Sequence, residues 1–238
     1  MQSLRGRSLQ AIIDLMPSKN RLKIYVNDGF YHIYNRGVAK ENIFNDIQDY
    51  KVFLKYLKQA LTKSKIQKID FSLRRRSFEA VPRLPKNFIE EIDLIAYCLM
   101  PNHFHFLLRQ KNQNSMESFM RSVITRYAQF FNKKYDRVGP VFQGRYKAIL
   151  ITQDNYLLHL TRYIHLNPAE FTNDLIKTYS SYADYLGLRR TTWIKPDTIL
   201  KFFDNKTIPE IIKINSYKDF IENYKKDSKQ VLGELALE

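Results

Sequence analysis

The stretch EIDLIAYCLMPNHFHFLLR, residues 91–109, contains two hydrophobic runs separated by Pro101 and Asn102. The first run is apolar at nearly every position, which is typical of a strand buried on both faces of a sheet. The Pro-Asn pair favours a tight turn, and the second apolar run follows it at once. This stretch therefore predicts an antiparallel hairpin with a central strand.

The second run carries His103 and His105, two positions apart. Side chains alternate between the faces of a strand, so the two imidazoles are expected on the same side. Both can then reach one point, which suits a metal ion. Packing alone also explains a pair of histidines on an apolar strand, and their spacing does not separate the two interpretations. We expect His32 and His165 to be structural.

The remaining segments predict helices and strands in an order that indicates the fold class. Strands are expected over residues 30–36 and 145–151, and helices over about 46–62, from Ser115 onward, and from Thr152 to about Asn167, where Pro168 follows. This order is typical of an α+β domain with an antiparallel sheet and packed helices. Residues 65–90 contain two prolines and an arginine run, and predict an irregular insertion. The tail beyond about Leu188 is expected to be helical.

The charge of the chain indicates a polyanionic partner. Its formal net charge is +15 and its pI is near 9.7, and nucleic acid is the commonest polyanion that such proteins bind. Residues 200–238 hold seven lysines and seven acidic residues, so the whole excess lies within residues 1–199. The polar face of the helix that starts at Ser115 carries four residues that we expect to contact DNA: Arg121, Arg126, Lys133 and Lys134.

Cysteine content and hydropathy restrict the setting of the protein. Cys98 is the only cysteine, which excludes a disulfide framework and a cysteine-based zinc module, and we expect this thiol to be buried and inert. No apolar run approaches the ~20 residues of a membrane span, and the N-terminal segment is a poor signal peptide. We therefore expect a cytoplasmic protein with no membrane partner.

The last predicted helix offers polar groups to the histidine pair. His159, Tyr163 and Asn167 follow one another at four-residue intervals and share one side of this helix. The carboxamide oxygen of Asn167 can complete a set with the two histidines, and such nitrogen and oxygen donors suit Mn²⁺ or Mg²⁺ better than a structural zinc ion. Tyr163 is the candidate nucleophile because a possible ligand lies one turn away, whereas Tyr127 has a phenylalanine at that offset. A tyrosine at the edge of the core is the alternative interpretation of Tyr163.

Four stretches occur in the order YHIYNRG, AYCLMPNHFHFLL, GPVFQGRYKAIL and YLLHLTRYIHLNP. Together they resemble the single-tyrosine transposases of the HUH endonuclease superfamily, in particular the REP-associated tyrosine transposase branch. The resemblance implies a ferredoxin-like catalytic domain in which His103 and His105 bind a divalent metal ion and Asn167 is the third ligand. It also implies that Tyr163 attacks single-stranded DNA. The matching segment QGRYK implies DNA contacts for Arg145 and Lys147.

The resemblance covers residues 28–187 and divides the chain into an N-terminal extension (1–27), a catalytic domain (28–187) and a helical C-terminal appendage (188–238). We expect a metal-dependent endonuclease and strand transferase that forms a 5′-phosphotyrosyl intermediate at hairpin-flanked sites. Its expected cofactor is Mn²⁺ or Mg²⁺, and its expected partner is single-stranded or hairpin DNA. Two alternatives remain: a catalytically silent regulator that binds hairpin DNA or RNA, and a phosphodiesterase that uses water instead of Tyr163. Both a monomer and a homodimer are compatible with the sequence.

Overall fold

The computed structural model describes residues 25–63, 69–73, 76–80, 85–205 and 214–222, so the predicted extension lies almost wholly outside the described residues. The strands are β1 (Phe30–Arg36), β2 (Ile69–Leu73), β3 (Arg76–Ala80), β4 (Ile92–Met100), β5 (His103–Gln110) and β6 (Lys147–Ile151). The α-helices are α1 (Ile47–Leu61), α2 (Ser115–Lys134), α3 (Asp154–Leu166), α4 (Tyr182–Tyr185), α5 (Asp197–Asn205) and α6 (Tyr217–Glu222).

Four strands form the main sheet in the order β4-β5-β1-β6, and all neighbours are antiparallel. The chain passes from β1 through α1 to β4, turns at Pro101 and Asn102 into β5, and passes through α2 to β6. This is the ferredoxin-like arrangement, and the predicted α+β class with its central hairpin is confirmed. One irregularity in the β4-β5 pairing lies between Leu94 and Ala96.

The two faces of the sheet are covered by different helices, because side chains alternate along each strand. Phe104 and Phe106 of β5 belong to a core that includes the apolar sides of α1 and α2. Leu107 of β5 belongs to a second core that includes α3 and α6. His103 and His105 occupy alternate positions of β5 with Leu107, so the two histidines share the face of the sheet that α3 covers.

The prediction for residues 65–90 is wrong in part. Strands β2 and β3 form a two-stranded antiparallel sheet within this segment, with Phe71 opposite Phe78. Both prolines of the segment, Pro82 and Pro85, come after β3 and therefore do not interrupt the pairing. Arg74 and Arg75, two members of the arginine run, lie outside the described residues.

The described part of the C-terminal tail packs on the rest of the chain. Ile194 forms a parallel bridge with Leu94 at the edge of β4, and it joins the core of α1 and α2. Tyr217 and Phe220 of α6 are buried in the core of α3. The domain boundary after residue 187 stays a prediction. Within the described residues, no helix combines the length and apolar character needed to cross a bilayer.

Candidate active site

The pairing of β1 with β5 places further functional groups beside the two histidines. Arg36 lies directly opposite His103, and Tyr34 lies directly opposite His105. On its other side, Tyr34 is opposite Lys147 of β6. Residues that are opposite in an antiparallel pair share a face and lie side by side. One face of the sheet therefore presents histidine, tyrosine and cationic side chains together.

His105 is held by a second histidine. Its side chain is only 1% exposed, and its Nδ1 lies 2.9 Å from Nε2 of His32 in a buried hydrogen bond. The rings of His32 and Tyr34 both stack near that of His105, with centroids at 5.1 and 5.7 Å. Because Nδ1 is engaged, Nε2 is the nitrogen of His105 that can coordinate a metal ion.

His103 lies between two amide oxygens. Its Nδ1 is 2.6 Å from Oδ1 of Asn102, and its Nε2 is 3.4 Å from Oδ1 of Asn167. Both amides have a fixed orientation, because Nδ2 of Asn102 donates to the carbonyl of Lys40 and Nδ2 of Asn167 donates to the carbonyl of Tyr163. A neutral imidazole has one N–H, and the shorter contact assigns it to Nδ1.

In that tautomer Nε2 of His103 carries a lone pair close to the oxygen of Asn167, and in the protonated imidazole it donates to that oxygen. A metal ion beside both atoms would be coordinated by one imidazole nitrogen and one amide oxygen. Within the described residues, no group of three or more His, Cys, Asp or Glu side chains can hold a metal ion. The His, His, Asn set offers two imidazole nitrogens and one amide oxygen to the Mn²⁺ or Mg²⁺ expected from the sequence, and carbonyl-type oxygen is a donor that both ions favour.

Helix α3 brings Tyr163 to the histidines. The helix packs against β4, β5 and β6, and the ring of Tyr163 meets those of His105 and His32 edge-on, with centroids at 5.3 and 6.1 Å. Tyr163 is 3% exposed, so its phenol has little contact with solvent. The helix ends at Leu166, and Asn167 begins a short 3₁₀ helix that contains Pro168. The predicted end of this helix is confirmed.

A pocket opens beside the histidines on the side of β1 and β6. It is lined by Tyr34, Asn35, Arg36, His103, His105, Gln143, Arg145 and Lys147. Three of these residues are cations, and none of them carries a carboxylate. Nζ of Lys147 lies 5.4 Å from the centroid of the Tyr34 ring. The pocket can hold an anion such as a phosphate. It is lined by both Arg145 and Lys147, for which DNA contact stays a prediction.

The loop that carries Arg145 is tied to β1. Nδ2 of Asn35 donates to the carbonyl of Gly144 at 3.0 Å, and the N–H of Gln143 donates to the carbonyl of Arg36 at 2.9 Å. Gly144 has a φ of +139°, a conformation that residues with a Cβ rarely adopt. This glycine therefore allows the chain to turn directly before Arg145.

The predicted basic residues of α2 lie away from this pocket, because α2 packs on the opposite face of the sheet. Arg121 forms an ion pair of 2.7 Å with Glu117, and Lys134 forms ion pairs of 2.7 Å with Asp46 and Asp49. The hydrogen bond from Lys134 lowers the pKa of Asp46. The structure does not bring these side chains together with the histidine pair.

The other two basic residues of α2 differ in their surroundings. Arg126 contacts Gln59, and its guanidinium lies 4.1 Å from the centroid of the Tyr56 ring. Lys133 is exposed. DNA binding by the basic face of α2 stays a prediction.

Two further residues that the sequence analysis considers, Tyr127 and Cys98, are buried in the core. Tyr127 has no exposed surface, its hydroxyl donates to the carbonyl of Ile43, and burial raises its pKa far above the usual value. Cys98 is fully buried, and burial raises the pKa of its thiol. The predicted burial of this cysteine is confirmed.

Sequence reasoning missed the roles of Arg36, Gln143 and Tyr34 as pocket residues, and of His32 as the partner of His105. Alternation along the strand FYHIYNR, residues 30–36, puts His32, Tyr34 and Arg36 on one face, and this signal was available. That face could be connected to His103 and His105 only through the register between β1 and β5.

Residues 60–167 match the family model described as "Transposase IS200 like". This segment belongs to the IS200-like transposases. It contains both histidines of the pair, Tyr163 and Asn167. The match confirms the predicted family at the level of the single-tyrosine transposases, and with it the predicted enzyme class, an HUH-type tyrosine transposase.

A solved structure of a REP-associated tyrosine transposase bound to a REP hairpin also aligns with this chain. The two sequences are 10% identical, the alignment covers 73% of this chain and 95% of that chain, and the TM-score is 0.48. No curated protein matches the sequence.

Proposed function

We propose that this IS200-like transposase is a metal-dependent endonuclease and strand transferase for single-stranded DNA, with Tyr163 as its nucleophile. The observation that carries the proposal is the convergence of donor atoms, because Nε2 of His103 lies 3.4 Å from Oδ1 of Asn167 and beside the ring of His105. Such a set of donors favours a divalent ion. When bound, that ion would polarise the scissile phosphate.

The cations of the pocket support the binding of a phosphodiester. Arg36, Arg145 and Lys147 line the space next to His103, and the guanidinium groups can form paired hydrogen bonds with two phosphate oxygens. These charges hold the DNA backbone and stabilise the additional negative charge that develops on the phosphate in the transition state.

The covalent step exchanges one phosphodiester bond for another. The phenol oxygen of Tyr163 loses its proton and forms a bond to phosphorus, and the bond between phosphorus and the 3′ oxygen breaks. The leaving oxygen takes up a proton to become a 3′-hydroxyl, so the number of protons is unchanged. The 5′ end of the DNA then remains on the protein as a phosphotyrosyl ester. Attack by another 3′-hydroxyl reverses the step and joins the strands, and no nucleotide cofactor is required.

The burial of Tyr163 sets a condition for this reaction. Because the side chain is 3% exposed and does not line the pocket, DNA binding must open a path between its hydroxyl and the phosphate. The same burial favours the second candidate function, a silent regulator that binds hairpin DNA or RNA without cleavage. The sequence resemblance implies a hairpin beside the cleavage site.

One incubation distinguishes the candidate functions. Labelled hairpin DNA with single-stranded flanks is incubated with the protein and Mn²⁺, and the products are separated on a denaturing gel. We expect a labelled covalent adduct with the wild type and none with Tyr163→Phe. Tyr127→Phe is the control, since Tyr127 is a core residue, and it should keep the adduct. Cleavage without an adduct would indicate hydrolysis by water, and binding without cleavage would indicate the regulator.

A further inference from the structure

The turn that leads into β5 is enclosed by the segment that follows β1. The carbonyl of Pro101 accepts hydrogen bonds from two N–H groups of this segment, at 2.8 and 2.9 Å, and the carbonyl of Asn102 accepts one from Gly37 at 2.8 Å. These contacts hold the segment, residues 37–44, against the turn that precedes His103.

Two consecutive residues of this segment adopt a backbone conformation that residues with a side chain rarely use. Ala39 and Lys40 have φ values of +51° and +62°. The left-handed region costs such residues free energy, and it persists only where surrounding contacts determine it. Here the N–H of Lys40 donates to the carbonyl of Gly37 at 3.1 Å, and the carbonyl of Lys40 accepts a hydrogen bond from the side chain of Asn102.

The carboxamide of Asn102 connects this turn to His103. Its Nδ2 donates to the carbonyl of Lys40 at 3.3 Å, and its Oδ1 lies 2.6 Å from Nδ1 of His103. The two ends of a carboxamide differ, because one end donates hydrogen bonds and the other accepts them. The carbonyl of Lys40 is an acceptor and therefore selects the NH₂ end, so that the oxygen is the end that faces His103.

We propose that Asn102 is a positioning residue for the metal site and that the turn at Ala39 and Lys40 selects the orientation of its amide. An acceptor beside Nδ1 of His103 keeps the N–H on that nitrogen, and the lone pair of Nε2 is then free to coordinate a metal ion. With its N–H on Nε2, the imidazole would donate to Oδ1 of Asn167 instead and could not coordinate the ion. This inference rests on the proposed function, in which His103 is a metal ligand.

The tautomer of His103 can be measured without metal. Nitrogen chemical shifts of the imidazole, recorded at a pH at which the ring is neutral, distinguish an N–H on Nδ1 from one on Nε2. We expect the Nδ1–H form in the wild type and a shift towards the Nε2–H form in Asn102→Ala. Asn102→Asp should keep the Nδ1–H form. It loses the donor to Lys40, but both oxygens of a carboxylate are acceptors, so no selection between its ends is needed.

The affinity for Mn²⁺ gives a second measurement, in which a titration is followed through the electron paramagnetic resonance signal of the free ion. We expect Asn102→Ala to raise the dissociation constant about tenfold or more, because contacts behind a ligating histidine change metal affinity by this order. Asn102→Asp should stay close to the wild type. The matched control is Asn114→Ala, which truncates an exposed asparagine at the start of α2 whose side chain makes no capping hydrogen bond.

The same comparison excludes a purely structural role for Asn102. A side chain that only ties the turn to Lys40 would be lost equally in the alanine and aspartate variants, since neither can donate to that carbonyl. Equal losses of Mn²⁺ affinity in Asn102→Ala and Asn102→Asp, or an unchanged affinity in Asn102→Ala, would therefore contradict the proposal.

Substitutions of Ala39 test the part played by the turn. Ala39 is exposed, so a change there acts through the backbone and not through packing. A β-branched valine disfavours the left-handed region, whereas glycine adopts it readily. We expect Ala39→Val to weaken Mn²⁺ binding, Ala39→Gly to leave it unchanged, and Ala39→Val to have no further effect in the Asn102→Asp background. Wild-type affinity in Ala39→Val would show that the turn does not orient the amide. If the wild type binds no Mn²⁺, the proposed function fails, and the tautomer of His103 still tests the role of Asn102.

Discussion

At the scale of single residues, the proposed metal site depends on His103. Its Nε2 and the oxygen of Asn167 are both acceptors in the neutral state, and the contacts of Asn102 and Asn167 with backbone carbonyls fix this arrangement. A metal ion satisfies both atoms in the neutral state, and protonation of the imidazole is the alternative. Because His103 is half-buried, its truncation should disturb the packing of the protein little.

We expect Mn²⁺ to raise the melting temperature of the wild type and His103→Ala to remove that rise. An ion present at about 100 times its Kd stabilises the native state by about 2.7 kcal/mol, which corresponds to about 5–10 °C for a chain of this size. The measurement is a thermal melt of each protein with and without Mn²⁺. In the absence of metal, the two proteins should melt at similar temperatures.

Asn167→Ala provides a graded comparison for the same measurement. We expect a smaller rise with Mn²⁺ than in the wild type, and recovery of part of it at higher metal concentration, because two histidine ligands remain. A His103→Ala protein that melts early but keeps its full response to Mn²⁺ would show that the histidine contributes to packing and that the metal binds elsewhere.

The sequence predicts those parts of the candidate site in which the period of one strand or one helix determines which residues share a face. The period of a strand relates His103 to His105, and the period of a helix relates Tyr163 to Asn167. Arg36 and His32 could not be assigned in this way. Their proximity to the pair depends on the register of β1 against β5, which is set by contacts between residues far apart in the chain.

At the scale of elements, the loop between α2 and β6 determines where Arg145 lies. Gly144 has a φ of +139°, and its carbonyl accepts a hydrogen bond from Asn35 at the pocket. No neighbouring atom would lie within 4 Å of a Cβ at this position, so the cost of a substitution would come from the backbone alone. A forced change of this φ would move the residue that follows.

We expect Gly144→Ala to weaken hairpin binding and to lower stability by about 1 kcal/mol. Gly139→Ala is the matched control, because Gly139 has a φ of +98° in the same loop and equally open surroundings. It should lower stability by a similar amount and leave binding unchanged. The measurements are chemical denaturation and a titration of labelled hairpin DNA. Equal loss of binding in both variants would show that the loop responds as a whole and that Gly144 has no special role.

The elements differ in how far the sequence predicts them. The sequence predicts helix α1 over 46–62, and the helix is found at Ile47–Leu61, where Asp46 and Asp49 form a capping box that makes its start a local property. For residues 65–90 the sequence predicts an irregular insertion, yet β2 and β3 pair with each other. The docking of α6 could not be predicted, because it depends on contacts between Arg162 and His165 and residues more than 50 positions away.

At the scale of the whole molecule, the location of the positive charge matters more than its amount. The net charge is +15, but the basic residues of α2 and the three that line the pocket lie on opposite sides of the sheet. Arg121 and Lys134 on α2 are already paired with carboxylates of the same chain. Arg145 and Lys147 lie in the pocket, where the lining residues include no carboxylate. We therefore expect the DNA backbone to follow the face that carries the histidine pair.

Removing one positive charge from each face tests this expectation. Lys147→Ala and Arg121→Ala lower the net charge equally, so any difference between them reports the location of the charge. For single-stranded DNA, each phosphate contact contributes about −0.7 to the slope of the logarithm of affinity against the logarithm of salt concentration.

We expect Lys147→Ala to weaken binding to hairpin DNA with a single-stranded flank and to make the slope shallower by about this amount. Arg121→Ala should leave both quantities close to the wild-type values, because Glu117 already engages this arginine. Equal effects of the two substitutions would mean that DNA responds to the overall field of the protein, and the assignment of the pocket as the path of the backbone would then be wrong.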